Sequence, residues 1–119
     1  MNYLKICLFL MLQLCITSIH AHAFIEEAQP KAGEELDVSP KVIELTYDRE
    51  IEPALSRIEI SSMTSDVPIK TGKVQNAEGA SNKLVLPVFQ LERGRYHVNW
   101  FALSNDGHQT IGDYSFTIK

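Results

Sequence analysis

The sequence predicts an all-β domain, an antiparallel Greek-key barrel or sandwich of about seven short strands. Three observations favour this fold class. Apolar and polar residues alternate at period two in one run after another. Turn-forming Gly, Pro, Asn and Asp residues separate the runs at regular intervals. No stretch shows a sustained helical period.

The alternating runs, in chain order, span residues 41–47, 57–61, 69–74, 84–88, 95–103 and 113–119. The run at 69–74 is more polar than the others and is predicted to be an edge strand. Residues two apart in a strand share a face, so the apolar face of each run predicts the core. The predicted core residues are Ile43, Leu45, Tyr47, Ile58, Ile60, Leu84, Leu86, Val88, Tyr96, Val98, Trp100, Ala102, Tyr114, Phe116 and Ile118.

Turn signals fall between these runs, at residues 30–33, 39–40, 76–79, 93–94 and 105–107. The segment 91–96, Leu-Glu-Arg-Gly-Arg-Tyr, is similar to the corner that opens a late strand in β-sandwiches. In such a corner a tyrosine hydroxyl bonds back to the preceding loop, which predicts this structural role for Tyr96.

The segment 1–21 is predicted to be a secretory signal peptide. Lys5 gives its short leading part a positive charge, and an apolar run at 6–16 follows. That run, about 11 residues, has the length of a signal-peptide core and is too short to span a bilayer. Two cleavage positions compete: Ala21-His22, and the bond after Ala23, which fits the small-x-small rule slightly better.

With the signal peptide removed, residues 22–119 form one domain that is long enough to bury a core. Both cysteines, Cys7 and Cys15, lie in the segment predicted to be removed, so the mature chain has neither a disulfide nor a thiolate ligand. The whole chain has 15 acidic and 11 basic residues, and no run of basic residues occurs. This balance disfavours nucleic-acid binding.

The tripeptide Asp106-Gly107-His108 lies in a polar loop between the two strongest predicted strands. Residues two apart on extended backbone project to the same side, so the carboxylate and the imidazole can share a metal. Gly107 permits a tight backbone between them. The competing interpretation is a polar hairpin loop with an incidental histidine.

His22 would complete this site if cleavage leaves it as the first residue. An N-terminal histidine binds a metal through its α-amine and its imidazole Nδ1 in one closed ring. An α-amine has a reference pKa of about 7.7–8.0, so only a modestly held proton competes with the metal. With Asp106 and His108 the donors become three nitrogens and one oxygen. This set suits tetragonal Cu(II), and Zn(II) could use it tetrahedrally.

The other residues that could bind a metal have simpler structural interpretations. His97 is predicted on the face opposite the apolar stripe and is interpreted as a surface or second-sheet histidine. Met63 stands alone in its region, so no methionine cluster is available for Cu(I), which prefers sulfur. Glu26, Glu27 and the acidic and basic residues at 48–50 are interpreted as solvated charges, one of which could hold a ligand in place. The chain has no nucleophile elbow and no phosphate-binding glycine loop.

Four stretches of the mature chain match a known family. His22 is followed eight residues later by Pro30, and the alternating strand at 40–47 comes next. The segment 91–100 places Gly, Tyr and Trp along a late strand, and in 104–116 an Asp-x-His precedes a Gly-x-Tyr-x-Phe. Together these stretches resemble the CopC/PcoC family of periplasmic copper-resistance proteins, including the YobA-type proteins.

This resemblance implies a cupredoxin-like or immunoglobulin-like Greek-key barrel. It implies a Cu(II) site at the barrel end, formed by the amine and imidazole of His22 with Asp106 and His108. It also favours cleavage after Ala21, because the family begins at that histidine. Some members carry a Met-rich Cu(I) loop, whereas this chain offers only Met63 there, which implies a member that binds Cu(II) alone.

The predicted function is that of a non-enzymatic, monomeric periplasmic protein that carries or buffers Cu(II) in copper resistance or homeostasis. Its predicted partners are an inner-membrane copper transporter or another periplasmic copper protein. One alternative is a copper-dependent oxidative enzyme, because an N-terminal histidine in a two-histidine site also resembles the brace of polysaccharide monooxygenases. Against it, Asp106 would occupy a position that oxygen activation needs open. The other alternative is a β-sandwich interaction module without a metal.

Overall fold

Two four-stranded sheets form the domain in a computed structural model, which describes residues 25–65 and 69–119. The strands within these residues are β1 Ile25–Gln29, β2 Glu35–Leu36, β3 Val42–Tyr47, β4 Arg57–Ser62, β5 Gln75–Ala77, β6 Ala80–Pro87, β7 Gly94–Leu103 and β8 Gln109–Ile118. One sheet has the order β1-β3-β6-β5 and the other β2-β8-β7-β4. The predicted all-β sandwich is confirmed.

Neighbouring strands pair antiparallel, with one exception: β2 pairs parallel with the end of β8. The one 3-10 turn within the described part of the chain, Pro53–Leu55, lies in the connection from β3 to β4. No helix among the described residues is both long and apolar enough to cross a membrane. The β7–β8 hairpin, paired from Gly94–Ile118 to Leu103–Gln109, is the longest element and carries the Asp-Gly-His loop at its tip.

The core lies between the sheets and follows the predicted alternation. Every predicted core residue is buried except Val88 and Trp100, which are partly buried and pack against the others. Ile51 and Leu91 join the core from outside the strands, where a period-two pattern carries no information. The alternation predicts the core well because side chains in a strand have only two directions to take.

The predicted edge strand at 69–74 is wrong. The chain there makes one isolated bridge, Thr71 to Val88, and the paired strand begins only at Gln75. Gly72 N–H donates to the Pro87 carbonyl at 2.8 Å, but Pro87 has no N–H to return a bond. A regular ladder therefore cannot continue past this point. The predicted turn at 76–79 is also shorter, because its first two residues belong to β5.

The predicted tyrosine corner is confirmed. Tyr96 Oη donates to the Glu92 carbonyl at 2.9 Å, and the Tyr96 ring stacks on Phe116 with 5.6 Å between centroids. The hydroxyl thereby fixes the loop that enters β7, while the ring belongs to the core. This contact sets the start of the hairpin whose far end carries the candidate site.

Two other tyrosines, Tyr47 and Tyr114, bury their hydroxyls between the sheets. Neither hydroxyl has a hydrogen-bond partner within residues 25–65 and 69–119. Burial raises the pKa of Tyr47, and the neighbouring Tyr114 raises it further. Burial likewise raises the pKa of Tyr114, with a smaller contribution from Glu34. Because the pKa of each tyrosine is raised in the folded protein, its contribution to the free energy of unfolding is fully present below the unfolded pKa of about 10. That contribution is lost as the pH rises above this value.

We expect Tyr47→Phe to raise the free energy of unfolding by about 1 kcal/mol at neutral pH, because it removes a buried hydroxyl that lacks a partner. The gain should grow above about pH 10, where the unfolded wild-type side chain ionises and the folded one does not. Urea denaturation at pH 7 and near pH 11 measures both effects. Tyr96→Phe is the matched control, since it removes a bonded hydroxyl and should lose about 1 kcal/mol. Equal losses in both variants would contradict this account of Tyr47.

Candidate metal centre

The loop between β7 and β8 is a tight turn closed by its own backbone. Ser104 N–H donates to the His108 carbonyl at 2.9 Å, and Gly107 N–H donates to the Ser104 carbonyl at 3.0 Å. Gly107 has φ of +87°, a conformation that side-chain-bearing residues rarely adopt. The predicted use of Gly107 is confirmed. The prediction that Asp106 and His108 lie side by side assumed extended backbone at this loop. The loop is a turn, and the two side chains are neighbours for that reason instead.

Asp106 is held by groups of its own turn. Its Oδ1 accepts hydrogen bonds from Ser104 Oγ and, at 3.3 Å, from the His108 N–H. His108 Nδ1 lies 3.0 Å from the same oxygen. The Ser104 hydroxyl first, and then His108, hold the pKa of Asp106 well below its usual range. The carboxylate is therefore ionised at every pH at which the protein would meet a metal.

Ser104 was not predicted from the sequence, although it organises the turn. The residue is only 3 % exposed, and its hydroxyl oxygen accepts from the His108 N–H at 3.1 Å. Serine commonly bonds backbone groups a few residues away in turns, so its presence at the first position of the loop was the available signal.

A second loop, which follows β3, packs against the turn. Glu50 joins the two, because its carbonyl accepts from Asn105 N–H at 3.1 Å and its Oε2 accepts from Asn105 Nδ2 at 2.9 Å. Its Oε1 accepts from Ser81 Oγ at 3.2 Å. Glu50 is exposed, as its interpretation as a solvated charge expects, and its carboxylate also fixes the Asp-Gly-His turn to the opposite sheet.

Arg49, interpreted from the sequence as a solvated charge, also reaches the turn, and this contact was not predicted. Its Nη1 lies 3.3 Å from Asp106 Oδ2 and 3.4 Å from His108 Nδ1. The same guanidinium binds Asp48 through Nε at 3.1 Å and Nη2 at 3.3 Å. The pKa of Asp48 is lowered, mainly by this hydrogen bond with Arg49. Asp106 is 57 positions away in sequence, a separation at which no local pattern signals a contact.

The structure thus brings together two of the three predicted ligands, Asp106 and His108. His22 lies outside the described residues, so its place is a prediction. Among the residues that the structure describes, no group of three or more His, Cys, Asp or Glu side chains is arranged to hold a metal. The described part of the chain therefore offers a pair of donors.

The other candidates lie elsewhere. His97 Nε2 is 2.7 Å from Asp113 Oδ2 on the neighbouring strand, and its side chain is 34 % exposed. It is six residues from the end of β7, which places it about 20 Å from the turn. Met63 is exposed at the end of β4. Neither side chain belongs to the Asp106–His108 pair.

The fold and this pair define a class: a two-sheet β-sandwich with a carboxylate and an imidazole side by side at the tip of its longest hairpin. The family model described as the CopC domain matches residues 25–119. The chain belongs to the CopC family, as the resemblance of its motifs predicted.

Individual relatives agree with this assignment. The chain is 31% identical to protein YobA of Escherichia coli K12 over 103 residues, covering 86% of this chain and 82% of YobA. The crystal structure of CopC from Methylosinus trichosporium OB3b superposes with a TM-score of 0.76 at 32% identity, covering 82% of this chain and 94% of that one. PcoC, a methionine-rich copper resistance protein from Escherichia coli, gives a TM-score of 0.70 at 28% identity, with 83% and 100% covered.

Proposed function

We propose that this chain is a periplasmic Cu(II)-binding protein that carries or buffers copper and catalyses no reaction. Its ligands would be the α-amine and imidazole of His22 together with Asp106 and His108. The observation that carries the proposal is the contact between Asp106 and His108 at one end of a CopC-family sandwich. The relatives named as copper resistance proteins support copper as the metal.

The spacing of the two described donors fits a shared metal. Two ligand atoms that each lie about 2.0–2.1 Å from a metal, at a right angle to one another, are about 2.9 Å apart. Asp106 Oδ1 and His108 Nδ1 are 3.0 Å apart. A metal that bound both atoms would need a histidine nitrogen free of its proton, so its binding would depend on pH.

The donor types support Cu(II) over softer or harder ions. An imidazole, an amine and a carboxylate are nitrogen and oxygen donors in the combination that tetragonal Cu(II) prefers, and Cu(II) binds most tightly among the divalent ions of its row. Cu(I) would favour thioether sulfur, and the mature chain offers only Met63. The same donors could hold Zn(II), so Zn(II) is the competitor against which copper has to be tested.

The exposure of the pair supports a carrier or buffer. The side chains of Asp106 and His108 are 54% and 61% exposed, so a ligand from an acceptor protein can reach a metal held there. A metal that served only to stabilise the fold would be expected among buried ligands with closed coordination. We therefore propose exchange of copper with an inner-membrane transporter or another periplasmic copper protein, by the chain as a monomer.

The cleavage position is part of the proposal. Removal of residues 1–21 would place His22 first and create two of the ligands, whereas cleavage after Ala23 would remove them. Intact mass of the secreted protein, measured with and without one equivalent of Cu(II), reads both features together. We expect a chain that begins at His22 and gains one copper, and that keeps it against an equal concentration of Zn(II).

Two variants make this measurement decisive. Asp106→Asn and His108→Ala should each lose most of the copper adduct. His97→Ala is the control and should keep it, because His97 contacts Asp113 and lies about 20 Å along β7 from the turn. A chain that begins at Phe24, or copper retained by both ligand variants, would refute the proposed site.

A further inference from the structure

Arg49 places one N–H group against both described donors of the candidate site. Nη1 lies 3.3 Å from Asp106 Oδ2 and 3.4 Å from His108 Nδ1, while Nε and Nη2 face Asp48. A guanidinium is positively charged at all accessible pH values and donates hydrogen bonds but accepts none. A positive group therefore lies where a metal that bridged Asp106 and His108 would be attracted.

We propose that Arg49 is a resident cation of the candidate site, which a metal ion must displace from His108 Nδ1 in order to bind between His108 and Asp106. This inference rests on the proposed copper function and adds a regulation of the same site. Copper loading would then be an exchange of one cation for another, and Arg49 would set the affinity below the limit that the ligands alone allow. For a carrier or buffer, such a limit keeps bound copper available to an acceptor.

The structure also provides a place for the displaced guanidinium. Asp48 already binds it through two nitrogens, at 3.1 and 3.3 Å, so Arg49 can move away from His108 and Asp106 without losing every partner. Asp48 and Arg49 follow β3 directly, and their side chains are about 30% exposed, which leaves room for a swing of the arginine towards Asp48. No bond other than hydrogen bonds breaks in this exchange.

The charge of Arg49 opposes a divalent ion at the site, since like charges repel at short range even with solvent screening. We expect Arg49→Gln, which keeps an N–H donor without the charge, to bind Cu(II) about tenfold more tightly than the wild type and to release it more slowly to a chelator. Arg49→Lys keeps the charge and should stay within about threefold of the wild type. Competition with a chelator of known copper affinity measures both.

Arg93→Gln is the matched control, because it removes the same charge from an exposed position at the opposite end of the β7–β8 hairpin. Its affinity should equal that of the wild type. The electron paramagnetic resonance spectrum of Cu(II) should be the same in wild type and Arg49→Gln, which shows that the ligands are unchanged and that only the charge differs.

The outcomes separate this inference from the proposed function. Arg49→Gln that binds copper equally or more weakly, or that alters the copper spectrum, overturns the inference, and so does an Arg49→Lys variant as tight as Arg49→Gln. In these cases the wild type and its Asp106→Asn variant still report on the site itself. Absence of copper binding by the wild type, or full binding by Asp106→Asn, would instead refute the proposed function.

Discussion

One extra residue in front of His22 is expected to weaken Cu(II) binding by at least about a hundredfold. The α-amine would move onto the added residue, and an uncharged amide nitrogen would take its place beside the imidazole. The two donors of one residue act as a chelate, in which the second bond forms at a high effective concentration, a gain of about 10²–10⁴. Losing the amine forfeits that gain and leaves isolated side-chain donors.

The comparison needs two further forms of the chain. A protein from which a protease removes the added residue regenerates His22 at the N-terminus and should recover full affinity. A protein that begins at Phe24 lacks both donors and should bind as weakly as the extended one or more weakly still. Chelator competition at pH 7 measures all forms. Equal copper affinity of the extended and native chains would show that the amine is not a ligand.

The second large effect concerns stability, and we expect it from Gly112→Ala. Gly112 on β8 lies opposite Trp100 on β7, and the tryptophan ring covers the glycine. A Cβ at position 112 would lie 2.6 Å from Trp100 Cη2 and 2.7 Å from Cε2, too close for carbon atoms that are not bonded to each other. The ring also packs on Tyr114, with 6.2 Å between centroids, so it cannot move freely.

The expected loss is about 3 kcal/mol, at the upper end for added volume in a packed region. For a domain of this size it corresponds to a fall in Tm of roughly 12–24 °C. Trp100 is the single tryptophan of the chain, so its fluorescence reports the displaced ring during thermal unfolding. Ile111→Ala, at the neighbouring and 76 % exposed position, is the control and should change stability by less than about 0.5 kcal/mol.

A double variant tests whether the ring is the cause. Trp100→Leu removes the clashing atoms, so Gly112→Ala should cost much less in that background than in the wild type, measured by circular dichroism because these variants have no tryptophan. A Gly112→Ala protein that melts within about 2 °C of the wild type would mean that the ring is not held over the glycine. Because Gly112 lies near the tip of the hairpin that carries Asp106, the same variant should also disturb metal binding.

The sequence alone predicted most of the core, because each strand offers its side chains only two faces. Ile43, Leu45 and Tyr47 are fully buried as their alternation indicated, and the late strands behave alike. It failed at the sheet edges. The short strands β1 and β2 pair with strands that do not follow them directly in the chain, β3 and β8, and at 69–74 the missing N–H of Pro87 prevents the ladder that the pattern suggested.

The candidate site divides in the same way. Asp106, Gly107 and His108 could be predicted because their proximity is local, within one turn of the chain. Arg49 and Glu50 could not, because they are more than 50 positions away and meet the turn only when the two sheets pack.

What the sequence by itself determined is therefore the alternation that buries one face of each strand and the pair of donors at the hairpin tip. Both are short-range properties of the backbone. The tertiary structure alone decided what surrounds that pair. Packing of the two sheets brings the loop after β3 onto the turn, where Glu50 anchors Asn105 and the Arg49 guanidinium faces Asp106 and His108. The electrostatic environment of the site is thus a consequence of the fold, because charges distant in sequence act on one another only when folding brings them close.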